Sequence, residues 1–467
     1  LCYNITMDKE FLNNLPPAFG QRMQSMLREE YPDFLECYDS NNFTSLRINT
    51  LKTSVEQGVQ KLQKLGGLMG NVDWCDSGFY YDKAVRYGKH PYHEAGLYYI
   101  QEASAMSVVE SIGIAEGDYV LDLCSAPGGK ATHIACKLGG TGLLVANEYV
   151  PSRSKILSQN IERMGISNCI VTNNSPQELE DNWQEFFDKI VVDAPCSGEG
   201  MFRKTAQAAE EWSEQNVEMC ATRQLAILDS AYKMLKAGGK MVYSTCTFSV
   251  QENEQVVEEF LARHSDMKIA HSLRQFCPAR VQWTKNGLDD IVLAQRLFPH
   301  HIKGEGHFVC VLQKGEEGND FRTAKQAKPN KNMLKIYEEW AKQNLNISLT
   351  PNICFGDNLY YLDATIPNLD KVKVLRCGLH LGQIKKDRFE PSHSLAMYLH
   401  PAQAKRVIDL PCDSKEIFDY FQGNAIDTDS KGWCLVCVDG LSCGWSKADG
   451  YMAKNHYPKG LRRDIRL

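Results

Sequence analysis

Between Ile112 and Gln313, short and almost unbroken apolar runs alternate with segments of helical length. The runs Tyr119–Leu123, Gly142–Asn147, Cys169–Thr172, Lys189–Asp193 and Lys240–Ser244 lack the alternation of a half-exposed strand, so each is predicted to be a strand covered on both faces. Strands spaced by helices in this way specify an α/β fold, a Rossmann-like parallel sheet wound on both sides by helices. Upstream the pattern is mixed: Pro16-Pro17 opens a helix reaching about Glu30, and Thr44–Asn49 alternates like a strand. Downstream, Gln313–Asn332 turns polar and carries Gly315, Gly318 and Pro329, the composition of a linker. Near the end, the apolar strand Gly432–Val438, the turn Asp439-Gly440 and the strand Leu441–Trp445 form a hairpin. The expected organisation is an N-terminal mixed domain (1–95), the α/β domain (96–314), a linker (315–332), a middle module (333–391) and a small β-rich C-terminal domain (392–467).

Composition narrows the class. With 43% hydrophobic and 24% charged residues the chain is globular rather than disordered. The 17 cysteines show no regular framework, and a chain of 467 residues has enough core to fold without disulfides, so they read as reduced thiols and the expected location is the cytoplasm. No apolar run spans a bilayer, and Leu1–Glu10 lacks the basic flank and apolar core of a secretory signal; Leu1 in place of methionine leaves Met7 as a candidate start. The net charge of −6 argues against a nucleic-acid partner. Yet Tyr451–Leu467 gathers Lys454, Lys459, Arg462, Arg463 and Arg466 against Asp464, so a phosphate-facing tail and a solvated terminus both stay open. Arg22, Arg28, Arg47 and Lys52 are scattered through the first domain as further candidates for such a partner.

Chemistry enters at strand ends. After the first strand comes Asp122-Leu123-Cys124-Ser125-Ala126-Pro127-Gly128-Gly129-Lys130, leading into a helix near Ala131. A glycine turn at a helix start, on the carboxyl edge of a sheet, lets backbone N–H groups approach a nucleoside. Glu148, just after the second strand, is placed to accept hydrogen bonds from ribose hydroxyls, although the turn lacks the full dinucleotide spacing.

Two further strands end in cysteine motifs, Asp193-Ala194-Pro195-Cys196-Ser197-Gly198 and Tyr243-Ser244-Thr245-Cys246-Thr247. One reading is two ordinary buried cysteines. The other is covalent catalysis: carbon 5 of a pyrimidine is a poor nucleophile until a thiolate adds to carbon 6, and a second group must then assist release. Asp193 can bond to the ring N3 and exocyclic amine. The positive environment that a thiolate needs is expected from Arg203, Lys204 or the helix after Thr247.

Taken together, Cys124–Lys130, Asp193–Arg203 (DAPCSGEGMFR), Tyr243–Asn253 (YSTCTFSVQEN) and Arg296–Phe308 (RLFPHHIKGEGHF) resemble the Sun-family RNA cytosine-5 methyltransferases. Within that family the chain is most similar to the bacterial RsmF type, which acts on small-subunit ribosomal RNA, and the resemblance covers nearly the whole length. It implies that Cys246 is the nucleophile, that Cys196 assists release, and that Asp193 contacts the target cytosine. It implies S-adenosyl-L-methionine on Cys124, Ser125, Ala126, Pro127, Gly128, Gly129 and Lys130, with Glu148 on its ribose, Asp193 close by, and Tyr98–Glu102 bordering the pocket. Where many members place an acid near the adenine, this chain reads Thr172-Asn173-Asn174-Ser175, leaving Asn174, Ser175 or backbone for that contact. The C-terminal domain would be PUA-like and bind RNA through a region including Trp433, Trp445 and Asn455–Gly460, unless those tryptophans form its own core. Two rivals are a DNA cytosine-5 methyltransferase, in which the Pro-Cys thiol attacks, and a non-catalytic ribosome-assembly factor. The Thr-Cys motif and the RNA-type C-terminal domain disfavour the first, and intact Asp193, Cys196 and Cys246 the second. No metal is expected at Cys434, Cys437 and Cys443, which sit in an apolar strand, or at His300, His301 and His307, in a loop expected to pack near the active site; the chain is expected to be a monomer.

Overall fold

The computed structural model describes residues 15–39, 42–317 and 327–465, so Leu1–Asn14, Met7, the centre of the linker and Arg466 lie outside the described residues. Pro17, pre-set for the first helical turn, starts a helix over Pro17–Leu27. It ends earlier than the pattern predicts, because Arg28 takes a left-handed φ of 54° and redirects the chain into a second helix, Tyr31–Asp39. Next come β1 (Thr44–Ile48), β2 (Leu68–Val72), β3 (Cys75–Tyr81) and β4 (Tyr98–Ile100), an antiparallel sheet ordered β2-β3-β1-β4.

The predicted strands of the α/β domain form as β5 (Tyr119–Asp122), β6 (Leu143–Asn147), β7 (Cys169–Thr172), β8 (Phe187–Asp193) and β9 (Leu235–Thr245). They are joined by β10 (Met267–Ala270), β11 (Cys277–Pro278), β12 (Gln295–Leu297) and β13 (His307–Lys314). The parallel order is β9-β8-β5-β6-β7, so the connection reverses direction between β5 and β8 and opens a crevice at their carboxyl ends. The sheet is mixed rather than wholly parallel: β13 runs antiparallel to β9. Val120, Leu121, Val145 and Val191 are fully buried because separate apolar clusters cover the two faces, one around Trp183, Phe187 and Leu228, the other around Val108, Ile134 and Leu157.

The middle segment contributes the sheet of β14 (Ile353–Phe355), β15 (Asn358–Tyr361), β17 (Leu379–Lys385) and β18 (Arg388–Pro391), while its β16 (Val374–Cys377) adds to the far edge of the central sheet beside β7. That pairing was not legible as a boundary, since it is made across long sequence separation. The last sheet holds β19 (Val407–Leu410), β20 (Ile426–Asp427), β21 (Lys431–Val438), β22 (Leu441–Asp449) and β23 (Met452–Asn455). Its core is continuous with that of the first domain: Ile48, Phe79 and Tyr98 share one cluster with Tyr420, Phe421 and Val436. Two expected binding residues are therefore structural. Arg47 is buried and bonds Gln101 and Thr132, and the Lys52 ammonium reaches the Met397 carbonyl and the Ser442 hydroxyl.

Part of the basic tail also turns inward. Arg463 pairs with Glu94 of the first domain, and Arg462 bonds the Tyr457 carbonyl. Among the described residues every cysteine is a free thiol, and no helix is long and apolar enough to cross a membrane.

Candidate active site and cofactor crevice

The two cysteine motifs converge. Cys246 follows β9, Cys196 lies three residues beyond the end of β8, and their sulfurs stand 3.3 Å apart. The hydrogen bond to Cys246, together with burial, pushes the Cys196 thiol well above its ordinary pKa, so Cys196 keeps its proton.

Asp193, at the tip of β8, accepts from Lys130 Nζ at 2.6 Å and from Ser244 Oγ at 2.8 Å. His307 Nδ1 donates to the Gly306 carbonyl at 2.8 Å, which leaves Nε2 facing Asp193 Oδ1 at 3.8 Å. Burial alone would raise the Asp193 carboxyl, but Lys130 and His307 hold it well below the usual carboxylate range. Lys130 in turn is held charged by Asp193 and by the neighbouring Cys246 sulfur, against a burial that opposes it. The cation nearest this chemistry is thus Lys130, not the expected Arg203 or Lys204. Arg203 is drawn away to Glu305 at 3.3 Å, and the next full helix, Glu254–Arg263, starts too far along to cap Cys246.

Two acids inside the motifs, Glu199 and Glu252, and a third just past them, Glu254, lock the two loops together. Glu252 accepts from Ser197 N and Gln224 Nε2, both at 2.9 Å, and from the Ser197 hydroxyl. Glu199 accepts from Trp212 Nε1 at 2.9 Å, from Phe248 N at 3.0 Å and from Arg22 of the first helix. Glu254 takes a bidentate pair from Arg296, whose third nitrogen holds the Phe248 carbonyl at 3.0 Å. Gly200 donates to the Cys246 carbonyl at 2.8 Å, an approach that needs glycine because a Cβ there would stand 2.9 Å from that oxygen. The roles of Glu199, Glu252 and Arg296 were missed in the sequence; their signal was membership of the same three motifs.

The glycine turn lies at the crevice as expected. Ser125 N bonds the Asn147 carbonyl at 2.9 Å, while Arg153 and Asn160 hold the Ala126 and Pro127 carbonyls at 2.8 Å. Gly128 takes a φ of 114°, and no side chain caps the Gly129–Leu138 helix, so its first-turn N–H groups face the crevice. Cys124 packs against the apolar core, its thiol pushed up by burial. Glu148 is buried, with one carboxylate oxygen on Val150 N at 2.8 Å and the other 3.6 Å from Arg153. Asp122 is fully buried and carries an oxygen without a hydrogen-bond partner, and its carboxyl is pushed to about 7 by burial beside Asp193 and Glu148. An uncapped helix start, an orphaned buried carboxylate oxygen and a strand-tip acid fit a cationic nucleoside cofactor. After β7, Asn174 is spent on Lys373 N and Glu178, and Ser175 caps the following helix.

The remaining candidates separate by burial. Trp445 lies in the core with Nε1 on the Ser392 carbonyl, Tyr457 is buried, and Asn455 bonds the Tyr420 carbonyl. Trp433 and His456 instead line a groove of about 1200 Å³ between the middle and C-terminal sheets. Lys342, Arg388, Lys405, Arg406, Lys431, Lys447 and Lys454 line it too, against Glu339, Asp387 and Glu390. Cys434, Cys437 and Cys443 are buried in the last sheet. Of the three histidines only His307 reaches the active site, whereas His300 and His301 face Glu30, which is already paired with Arg280.

Residues 110–313 match the family model of the 16S rRNA methyltransferase RsmB/F, and residues 15–103 that of the N-terminal domain of 16S rRNA methyltransferase RsmF. Residues 339–399 and 407–463 match the RsmF first C-terminal domain and the RsmF PUA domain. Ribosomal RNA small subunit methyltransferase F of Vibrio vulnificus is 33% identical over 97% of this chain and 98% of its own length, and that of Shewanella piezotolerans 32% over 96% and 98%. A crystal structure of a methyltransferase homolog from Pyrococcus horikoshii, 28% identical, superposes with a TM-score of 0.59 over 67% of this chain and all of its own. The chain belongs to the RsmF type of the RsmB/F family of 16S ribosomal RNA methyltransferases.

Proposed function

We propose that this protein methylates carbon 5 of a cytosine in small-subunit ribosomal RNA, in the cytoplasm, with Cys246 as nucleophile and Cys196 as the release group. The observation that carries the reading is the pair of sulfurs 3.3 Å apart beside the Lys130–Asp193 pair. Cys246, with the Lys130 ammonium as its neighbouring cation, adds as a thiolate to carbon 6 and turns carbon 5 into an enamine-like nucleophile. Asp193, held ionised beside Lys130, accepts from the exocyclic amine and, once N3 takes a proton from water as charge builds on the ring, from N3–H. Cys124–Lys130 would hold S-adenosyl-L-methionine, with Glu148 on its ribose, and the cofactor would supply the methyl group. The carbon 5 proton passes to a water molecule, the carbon 5–carbon 6 double bond reforms, and the Cys246–carbon 6 bond breaks, the sulfur leaving as a thiolate against the protonated Cys196 thiol. The basic, aromatic groove around Trp433 supports an RNA partner despite the net charge of −6.

The test is a denaturing gel of wild type, Cys196→Ala and Cys246→Ala incubated with S-adenosylmethionine and labelled, unmodified small-subunit ribosomal RNA. A protein–RNA adduct accumulates in Cys196→Ala and is absent in Cys246→Ala. Accumulation in Cys246→Ala instead would exchange the two roles, and methylation of DNA in preference to RNA would overturn the substrate.

A further inference from the structure

Beside the catalytic crevice, the first domain and the loop following Cys196 form an open cavity of about 490 Å³, which neither cysteine, nor Asp193, nor the Cys124–Lys130 turn lines, although Ile100, Gln101 and Glu102 of the segment expected to border the cofactor pocket do. Phe43 and Ile100, each 37% exposed, are large apolar side chains left open to solvent, and both line it. Lys83, Arg203 and Lys204 also line it, against Glu102, whose carboxylate is already engaged by the N–H groups of Ser104, Ala105 and Glu305. Gln101 lies in its wall and is 6% exposed. Arg47 Nε donates to Gln101 Oε1 at 3.1 Å, which sets the amide so that Nε2, a double donor, stays buried without a partner. The same Nε2 would stand 3.6 Å from a Cβ placed on Gly129, so the cavity adjoins the glycine turn that carries Lys130.

An aromatic and an aliphatic face beside the Lys204 ammonium make a site for one nucleotide. We propose that this cavity receives the nucleotide next to the target cytosine, an assignment that rests on the RNA methyltransferase reading. Extruding the cytosine breaks its stacking on that neighbour. The exposed base lies against Phe43 and Ile100, and its phosphate meets Lys204. The first domain thereby reads a base flanking the modified position.

The experiment replaces Phe43 with photoreactive p-benzoyl-phenylalanine in the full-length Cys196→Ala chain. The chain is incubated with S-adenosylmethionine and unmodified small-subunit ribosomal RNA and irradiated, and both the thiol adduct and the cross-link are mapped. The cross-link falls on the nucleotide immediately before or after the adducted cytosine. An adduct with a cross-link elsewhere, or with none, overturns the cavity assignment alone; loss of the adduct overturns the methyl-transfer reading and the cavity assignment with it. As a second measurement, Phe43→Ala raises the KM for RNA about tenfold or more while kcat changes less than twofold. An unchanged KM contradicts the assignment.

Discussion

Arg296 is the strongest test of how the nucleophile is held. It is 1% exposed and Glu254 is fully buried, joined by Nε–Oε1 at 2.8 Å and Nη2–Oε2 at 2.5 Å, while Nη1 holds the carbonyl of Phe248. Trp283, Phe298 and Phe308 surround the guanidinium at 5.2, 5.7 and 5.3 Å. Arg296→Met keeps this apolar packing but strands a buried carboxylate, which costs about 3–5 kcal/mol. At about 1.4 kcal/mol per tenfold, that is roughly two to four powers of ten in the folded-to-unfolded ratio. Adding Glu254→Leu removes the stranded charge, so the double variant returns to within about 1 kcal/mol of wild type. Its kcat stays low, because the Phe248 carbonyl has lost its anchor and Cys246 its fixed position. Urea unfolding followed by circular dichroism, with methyl-transfer kinetics on the same samples, reads both. A single variant costing less than about 1 kcal/mol, or a double variant no more stable than the single, would refute the reasoning.

Lys130→Met leaves Asp193 buried beside His307 alone, so its carboxyl rises. In wild type the depressed carboxyl contributes stability that is complete above about pH 4 and is lost as pH falls through the folded value. The urea midpoints of the two proteins therefore differ most at neutral pH, and the gap narrows as pH falls through the variant's raised carboxyl and closes only below about pH 4, through the wild type's depressed one; a gap independent of pH would count against the pair. Gly200→Ala drives a Cβ against the Cys246 carbonyl and lowers kcat by roughly 10- to 100-fold, with unaltered circular dichroism and cofactor affinity by calorimetry. Replacing Lys431, Lys447 and Lys454 by alanine lowers the slope of log affinity against log salt by about 2 in filter binding to single-stranded RNA, and an unchanged slope would remove the groove from the RNA path.

The sequence by itself determined the α/β core, because strands buried on both faces must be continuously apolar, as Tyr119–Asp122 and Cys169–Thr172 are. It also marked the glycine turn, Glu148, Asp193 and the two cysteines, since strand ends in such a sheet all open on one edge. Only the tertiary structure decided which charges meet. Lys130 is far in sequence from the cysteines, yet it serves Asp193 and Cys246, while Arg203 is claimed by Glu305. Arg47 and Lys52 read as surface cations, but they are interior ties between elements distant in the chain. Trp433 and Trp445 are alike as letters, and burial alone sends one to a groove and the other to the core. Periodicity is a local property written along the chain, whereas electrostatic partnership depends on distances between segments, which only the packed fold sets.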